Sequence, residues 1–278
     1  MKKLLFVLAA GLFGFTANAQ DLPKPSPLAK IEQTVGLTTI AMEYSRPSKK
    51  GRTIFGELVP FDEVWRLGAN ASTKITTSSD IKIQGKELKA GTYSVLATPN
   101  KDIWTLVFNT DLELRGTGNY DAKKNVLEVK TKVVITEETV ESFTISINIV
   151  THQSALLSFA WDNTKVDFAI GVETNKIAEE NIQAALKKGE DLDQVYYRAA
   201  SFYYNTLGDD KKALTNITKG LNVKQGHALQ FLRAQILFDQ GHKEEAIKYA
   251  KKAVKLAEEA GSKGWADYIQ GTIDSWEK

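Results

Sequence analysis

Apolar and polar residues alternate from about Ile31 to Val172, and a spacing of two predicts β-strands. In the clearest segment, 143–149, four large apolar residues alternate with Thr144, Ser146 and Asn148. One face of such a strand enters a core while the other meets water. Similar runs recur from about Ile31 to Val172, separated by short turn sequences such as Gln84-Gly85-Lys86. Eight to ten short strands without intervening helices predict an antiparallel β-sandwich or barrel over residues 20–172.

After Gly171 the apolar residues recur at spacings of three and four, which predict amphipathic α-helices. Most of these segments are bounded by Gly or Asn, residues that end helices. The predicted helices are 177–188, 192–204, 211–221, 228–238, 243–259 and 265–276. Residues 173–278 are therefore predicted to form a C-terminal all-α domain.

Two of the predicted helix pairs repeat each other. The run from Gly208 to Leu214 aligns with the run from Gly241 to Ile247 at an offset of 33 residues, close to the 34 of a tetratricopeptide repeat. Small residues, which let paired helices approach closely, then fall at corresponding positions: Ser201, Ala213, Gly220, Ala234, Ala246 and Ala253.

Residues 192–260 therefore resemble the tetratricopeptide family, although the proline that follows each repeat in the family is absent. The first and last helices would cover the ends of this short array. The resemblance implies a concave groove that binds a protein partner. In the alternative interpretation, the helices only pack on the β domain or on each other.

The N-terminal residues predict export. Lys2 and Lys3 precede an apolar run, 4–15, which is followed by the small-residue pattern Ala17-Asn18-Ala19, as in secretory signal peptides. The run is shorter than the roughly 20 residues of a membrane-spanning helix, and the chain has no cysteine to carry a lipid. We expect a signal peptide, 1–19, cleaved after Ala19, and a periplasmic or secreted product without a membrane anchor.

Composition and charge narrow the possible partners and chemistry. The chain is 42 % hydrophobic and 25 % charged, as is usual for globular domains. Without Lys2 and Lys3, 34 cations face 34 anions, and this balance argues against binding to nucleic acid. The chain has no cysteine, and its three histidines are dispersed along the sequence. We therefore expect no thiolate chemistry, no cofactor and no transition-metal site. The acidic segment 109–125 matches no calcium-loop spacing.

The candidate ligand-binding residues lie around a long connection between two predicted strands, 45–73. Connections of this length are usually functional or packed, and the apolar residues of this one predict an ordered structure. It would present guanidinium groups for carboxylate or phosphate oxygens, an indole for a sugar ring or a cation, and an amide for hydroxyls. These residues are Tyr44, Arg46, Arg52, Trp65, Arg66 and Asn70.

The expected ligand of this segment is a small anionic or carbohydrate molecule. A structural interpretation is also open, because the segment around these residues holds five cations and four acids. In that interpretation the arginines pair with the neighbouring acids Glu43, Glu57, Asp62 and Glu63 and pin the loop.

Two runs, 26–75 and 88–109, resemble a family of exported bacterial proteins whose domain has no known function. The most specific parts are SRPSKKGR at 45–52 and EVWRLGAN at 63–70. The resemblance covers about residues 25–170 and implies export and a β domain, but it implies no reaction; the helical extension is similar to that of some members. The family often has a tryptophan before the glycine that corresponds to Gly116, so a site lined by that tryptophan would differ here.

The favoured function is a non-catalytic binding protein of the bacterial envelope, with a protein partner at the helical repeats and an anionic or glycan ligand at the arginine-rich loop. The alternative is a hydrolase acting on a glycan or ester, with Asp62 or Glu63 as acid or base and the arginines as charge stabilisers. Such an enzyme requires a concave site where a carboxylate and arginines converge. A third hypothesis makes the helical groove the only functional surface.

Overall fold

The computed structural model describes residues 22–278, so the predicted signal peptide lies outside the described residues. The chain divides into two compact units between Glu173 and Thr174. Within the described part of the chain, no helix is both long and apolar enough to cross a membrane.

The N-terminal unit is a nine-stranded antiparallel sheet, which confirms the predicted fold class. Strand order in the sheet is β1-β2-β3-β6-β7-β8-β9-β4-β5, so the late strands β8 and β9 separate β7 from the small hairpin β4-β5. The strands are β1 (Leu28–Val35), β2 (Thr38–Ser45), β3 (Thr73–Thr77), β4 (Ile81–Ile83), β5 (Lys86–Leu88), β6 (Gly91–Thr98), β7 (Ile103–Asn109), β8 (Asn125–Asn148) and β9 (Ser154–Val172).

Two strands are far longer than the short strands that the sequence predicts. Strand β8 pairs with β7 as far as Lys132, and from Val133 onward it pairs with β9. Its register with β9 shifts between Ile135 and Val140 and again before Thr144, and such bulges bend strands. The long strands thus join two parts of the sheet that share one hydrophobic core.

The predicted alternation fixes which side chains enter that core. Phe143 and Ile145 of β8 are buried, and β9 contributes a second inward set of large residues: Leu157, Phe159, Trp161, Val166 and Phe168. Ile149 is an exception, because β8 ends at Asn148 and Ile149 turns away with a φ of 48°. Its side chain is exposed.

The C-terminal unit contains all six predicted helices. Their observed bounds are α1 (Thr174–Lys188), α2 (Leu192–Asn205), α3 (Asp210–Val223), α4 (His227–Asp239), α5 (Lys243–Glu259) and α6 (Lys263–Glu277). The small residues predicted to lie between paired helices are buried at Ala213, Ala234, Ala246 and Ala253. Two hydrophobic clusters, one mainly between α2, α3 and α4 and one between α4, α5 and α6, form the core of this unit.

Candidate functional site

The connection from β2 to β3, residues 46–72, is ordered against the sheet, as its apolar residues predict. Ile54, Val59 and Leu67 are buried in it. Trp65 forms an isolated bridge with Ala97 of β6: the Trp65 amide donates to the Ala97 carbonyl at 2.7 Å, and the Ala97 amide donates back at 2.9 Å. These contacts hold the backbone of the connection in one conformation.

Trp65 lies inside an aromatic cluster. Its ring centroid is 5.2 Å from that of Phe143 and 6.0 Å from those of Trp104 and Trp161. The indole nitrogen donates to the Gly68 carbonyl at 3.1 Å, and only 9 % of the residue is exposed. Most of the indole surface therefore packs against protein, and little of either ring face is left for a sugar.

Three of the six candidate residues are held by hydrogen bonds within the fold. The Tyr44 hydroxyl accepts from the Ile145 amide at 3.0 Å and donates to the Ile145 carbonyl at 3.3 Å. Arg46 donates to the Phe143 carbonyl at 3.1 Å and to the Thr144 hydroxyl at 2.9 Å. The Asn70 amide donates to the Ser45 hydroxyl at 3.1 Å. These side chains fasten the end of β2 to β8 and to the connection.

The other three candidates, Arg52, Trp65 and Arg66, line one cleft of about 480 Å³. Lys50 is the third cation of its wall, and no carboxylate of the described residues lines it. Hydroxyl and backbone groups of Ser26, Ser48, Gly68 and Ala69 add polar surface, and the apolar part of the wall consists of Pro25, Pro47, Leu58, Val59, Trp65 and Trp161.

Arg52 and Arg66 differ in their hydrogen bonds. Arg52 donates to the Lys49 carbonyl at 2.9 Å and to the Ser48 carbonyl at 2.5 Å, and so closes the turn in which Lys50 and Gly51 have positive φ. The Nε of Arg66 is buried and has no hydrogen-bond partner within residues 22–278. Arg66 therefore differs from Arg52, because its guanidinium group has a buried donor that no described residue uses.

The structure does not contain the ion pairs of the structural interpretation. Among the described residues, neither Arg46, Arg52 nor Arg66 forms a salt bridge. Lys49 does form one, at 2.5 Å, but its partner Asp162 belongs to β9 and not to the connection. Arg46 and Arg52 are held by hydrogen bonds to carbonyl and hydroxyl oxygens. These neutral acceptors leave the positive charge of the arginines uncompensated.

The backbone beside Arg66 has an unusual conformation that the sequence LGAN explains. Gly68 has a φ of 141°, and a Cβ at this position would lie 2.8 Å from the Ser45 carbonyl oxygen. Only glycine fits there. Leu67 and Asn70 also have positive φ, at 54° and 61°, and the buried Leu67 carbonyl accepts from the Thr73 hydroxyl. The turn thus positions Gly68 and Ala69 in the cleft wall.

Sequence reasoning missed several residues of the cleft. Lys50 and Gly68 belong to the two motifs that carry the family resemblance. Membership in these motifs is the sequence feature that could have identified them as cleft residues. Trp161 comes from β9, nearly a hundred residues later in the chain, and no local pattern links it to the connection. Gly116 is near Arg66, because a Cβ at Gly116 would lie 4.0 Å from the Arg66 Nη1.

The carboxylates named for the hydrolase hypothesis are not cleft residues. Asp62 accepts a hydrogen bond from the Asn100 amide at 2.7 Å, and neither Asp62 nor Glu63 belongs to the lining. The acidic segment after β7 is also used structurally. Lys124 donates to Asp111 at 2.7 Å, and this hydrogen bond lowers the pKa of Asp111. No group of three or more potential metal ligands occurs among residues 22–278.

The helical unit has its own surface features. Trp265 and Tyr268 at the start of α6 are 38 % and 58 % exposed, and their ring centroids are 6.1 Å apart. A groove of about 310 Å³ runs beside Trp265, between the starts of α2 and α4 and the end of α5. Exposed aromatic residues at a groove are common in protein interfaces.

Comparison with known proteins identifies both units. A tetratricopeptide-repeat family model matches residues 227–259, which comprise α4 and α5, and stacked repeats of this kind provide surfaces for protein–protein interaction. No curated protein and no solved structure matches the chain. The model described as protein of unknown function (DUF2911) matches residues 26–170, slightly more than half of the chain, and the protein therefore belongs to this family.

Proposed function

We propose that this chain is an exported, non-catalytic binding protein of the bacterial envelope. In this proposal the cleft of the β unit binds a small anionic ligand, and the helical repeats bind a protein partner. The observation that carries the proposal is the cleft itself, in which Lys50, Arg52 and Arg66 meet without a carboxylate from the described residues.

The hydrogen bonding of Arg66 supports an anionic ligand. A buried donor without an acceptor costs about 1–3 kcal/mol, and more when the group is charged. The Arg66 Nε is such a donor. Because Arg66 lines the cleft, an anion bound there would accept charge-assisted hydrogen bonds from its guanidinium group. Arg52 and Lys50 add positive charge at the same wall.

The burial of both indoles supports an anion over a neutral glycan. Sugar binding by stacking requires an open aromatic face, but Trp65 and Trp161 are 9 % and 2 % exposed. The cleft offers charge and hydrogen-bond donors and no stacking surface. A carbohydrate would therefore have to carry an anionic group in order to bind there.

A binding role is favoured over hydrolysis because, among residues 22–278, no carboxylate that could act as acid or base lines the cleft. Hydrolysis of a glycan or ester by the proposed mechanism needs a carboxylate at the reacting bond. Asp62 and Glu63 lie outside the lining, so the arginines do not converge with either of them.

The repeats support a second binding surface, for protein. Tetratricopeptide arrays expose concave surfaces that contact other chains, and α6 adds exposed Trp265 and Tyr268 to this unit. If the helical surface were instead the only functional one, residues 173–278 alone would retain binding of the protein partner.

Anion binding is tested by titrating residues 20–278 with acetate, glucuronate, sulfate and phosphate while tryptophan fluorescence is followed. Trp65 and Trp161 line the cleft and report on its occupancy. We expect saturable binding of at least one anion and its loss in Arg66→Ala. The matched control is Lys130→Ala, which removes an exposed cation of β8. Equal binding by wild type and Arg66→Ala, or no binding by wild type, would refute the anion site.

Export is tested separately in cells. The full chain carrying a C-terminal tag is expressed in a Gram-negative bacterium, and the periplasmic fraction is sequenced from its N-terminus. We expect a product that begins at Gln20. A product that retains Met1 and stays with cytoplasmic markers would contradict export without affecting the anion site.

A further inference from the structure

We infer that the anion bound by the cleft carries a phosphate monoester group. This inference rests on the proposed anion site and specifies its ligand class. Three features of the cleft wall support a phosphate monoester: its positive charge, its neutral hydrogen-bond donors and its apolar side.

The first feature is the amount of positive charge. Three cations line the cleft, and carboxylates of the described residues contribute none of the lining. Two acids contact neighbouring parts of the connection without lining the cleft: Glu141 accepts from the Lys50 amide at 2.9 Å, and Asp162 pairs with Lys49. A monocarboxylate brings one negative charge, whereas a phosphate monoester brings nearly two at neutral pH. The dianion compensates the three cations better.

The second feature is a set of neutral donors beside Arg66. The backbone amides of Gly68 and Ala69 donate to no acceptor within residues 22–278, and both residues belong to the cleft wall. Their turn is fixed by positive φ at Leu67 and Gly68. Successive amides in such turns form concave anion sites. A tetrahedral group with three acceptor oxygens can use the guanidinium and these amides together.

The third feature is the apolar side of the cleft. Pro25, Pro47 and Leu58 line it, and Leu58 is 44 % exposed although it is a large aliphatic residue. This surface can cover the organic part of an ester, which inorganic phosphate lacks. A volume of about 480 Å³ accommodates a small ester or the headgroup of a lipid, and both sources share the same phosphate chemistry.

The test uses phenyl phosphate as the probe and benzoate as the matched monoanion. Both are titrated into residues 20–278 by calorimetry at pH 5.0 and pH 7.5. The second ionisation of a phosphate ester occurs near pH 6, so the dianion content rises about tenfold over this range. Lysine and arginine side chains keep their charge there, and no histidine lines the cleft in the described part of the chain.

We expect phenyl phosphate to bind about tenfold more tightly at pH 7.5 than at pH 5.0, and more tightly than benzoate at pH 7.5. Binding should disappear in Arg66→Ala and persist in Lys130→Ala. Arg66→Lys retains the charge but not the planar fork, so it should bind phenyl phosphate at least several-fold more weakly. Circular dichroism spectra establish that each variant is folded.

Two results would overturn the inference in distinguishable ways. If benzoate binds as tightly as phenyl phosphate, or if the affinity for phenyl phosphate is the same at both pH values, the site is a general anion site and only the phosphate assignment fails. If neither probe binds in an Arg66-dependent manner, the anion site itself fails.

Vesicle sedimentation distinguishes a lipid headgroup from a small soluble ester as the source of the phosphate monoester. Sedimentation is compared for phosphatidylcholine vesicles with and without phosphatidic acid, a lipid that carries a phosphate monoester. Arg66-dependent sedimentation with phosphatidic acid supports the assignment and identifies a lipid source. Binding of phenyl phosphate without vesicle binding supports the assignment and identifies a soluble ester.

Discussion

At the scale of single residues, identical side-chain types in one connection have different roles because their surroundings differ. Arg46 is held by the Phe143 carbonyl and the Thr144 hydroxyl, and Arg52 is held by its own turn. Arg66 has a buried Nε that finds no acceptor among residues 22–278. The available hydrogen-bond acceptors, and not the residue type, decide which arginine can bind a ligand.

Tyr44 should matter for stability and not for ligand binding. Its hydroxyl satisfies both the amide and the carbonyl of Ile145 in a buried position. Tyr44→Phe leaves these groups unpaired, and we expect a loss of about 1–3 kcal/mol in the free energy of unfolding. Urea denaturation followed by tryptophan fluorescence measures this loss.

The control for Tyr44 is Tyr93→Phe, which removes a single, partly buried hydrogen bond to the Lys89 carbonyl. We expect this change to cost no more than about 1 kcal/mol. Equal costs for the two variants, or a loss of anion binding in Tyr44→Phe at full stability, would contradict the structural role of Tyr44.

At the scale of elements, the close approach of helices in the repeats depends on small residues at particular positions. Gly220 lies within α3, and a Cβ there would be 2.8 Å from Leu229 Cδ1 and 2.9 Å from Tyr196 Cβ. Helices α2 and α4 thus both approach α3 at this glycine. In the sequence, the 33-residue offset between the two helix pairs aligns Gly220 with Ala253. This alignment marks Gly220 as a small-residue position of the repeat.

Gly220→Ala should destabilise the helical unit although alanine is the better helix former. Helix propensity gains about 1 kcal/mol, but overpacking against Tyr196 and Leu229 costs about 1–3 kcal/mol. Gly271→Ala in α6 is the matched control, because nothing lies within 4 Å of its Cβ position, and it should stabilise by about 0.5–1 kcal/mol. Thermal melts followed at 222 nm measure both, and a higher midpoint for Gly220→Ala would contradict the close contact.

A hydrogen bond between the first helices of the two repeats predicts a pH dependence. The Tyr204 hydroxyl of α2 donates to the Asp239 carboxylate of α4. Burial, together with this hydrogen bond, raises the pKa of Tyr204 above the value near 10 of an unfolded chain. The stabilisation is therefore complete below pH 10 and is lost above it, because only the unfolded chain then releases the proton.

The measurement compares melting temperatures of wild type and Tyr204→Phe from pH 7 to pH 11.5. We expect wild type to be more stable by a constant margin up to about pH 9, and we expect this margin to shrink between pH 10 and 11.5. Lysine deprotonation affects both proteins equally. If the difference in melting temperature between wild type and Tyr204→Phe stays constant up to pH 11.5, the surroundings of Tyr204 do not raise its pKa.

At the scale of the whole molecule, the two units have separate hydrophobic cores. The β core contains residues from Val35 to Val172, and the two helical clusters contain residues from Ala199 to Ile273. No buried residue of one core belongs to another. The residues that line the cleft all belong to the β unit.

Residues 174–278 alone should therefore fold. We expect this fragment to have a helical circular dichroism spectrum and to unfold in a single cooperative transition, since it retains both helical clusters. The fragment 20–173 should in turn bind the same anions as the full chain. A helical fragment that is unfolded at neutral pH, or a β fragment that is folded but does not bind the anions, would contradict this independence.

Much of the architecture could be predicted because its signals are local. The apolar period changes near Gly171, close to the boundary between the two units at Glu173. Turn residues and small residues locate the six helices to within a few positions. The long strands β8 and β9 were not predicted as such, since bulges and bends within a continuous strand have the same local composition as short turns.

The sequence by itself determined the two-unit organisation, the antiparallel sheet, the helical repeats and the segment that contains the candidate site, because residue periodicity and turn chemistry act between near neighbours. Only the tertiary structure decided which candidates share a cleft. Tyr44, Arg46 and Asn70 bind to backbone and hydroxyl groups of the fold, while Arg66 lines one cleft together with Trp161 and Lys50. Such contacts depend on how distant strands pack together, and no local pattern in the chain records them.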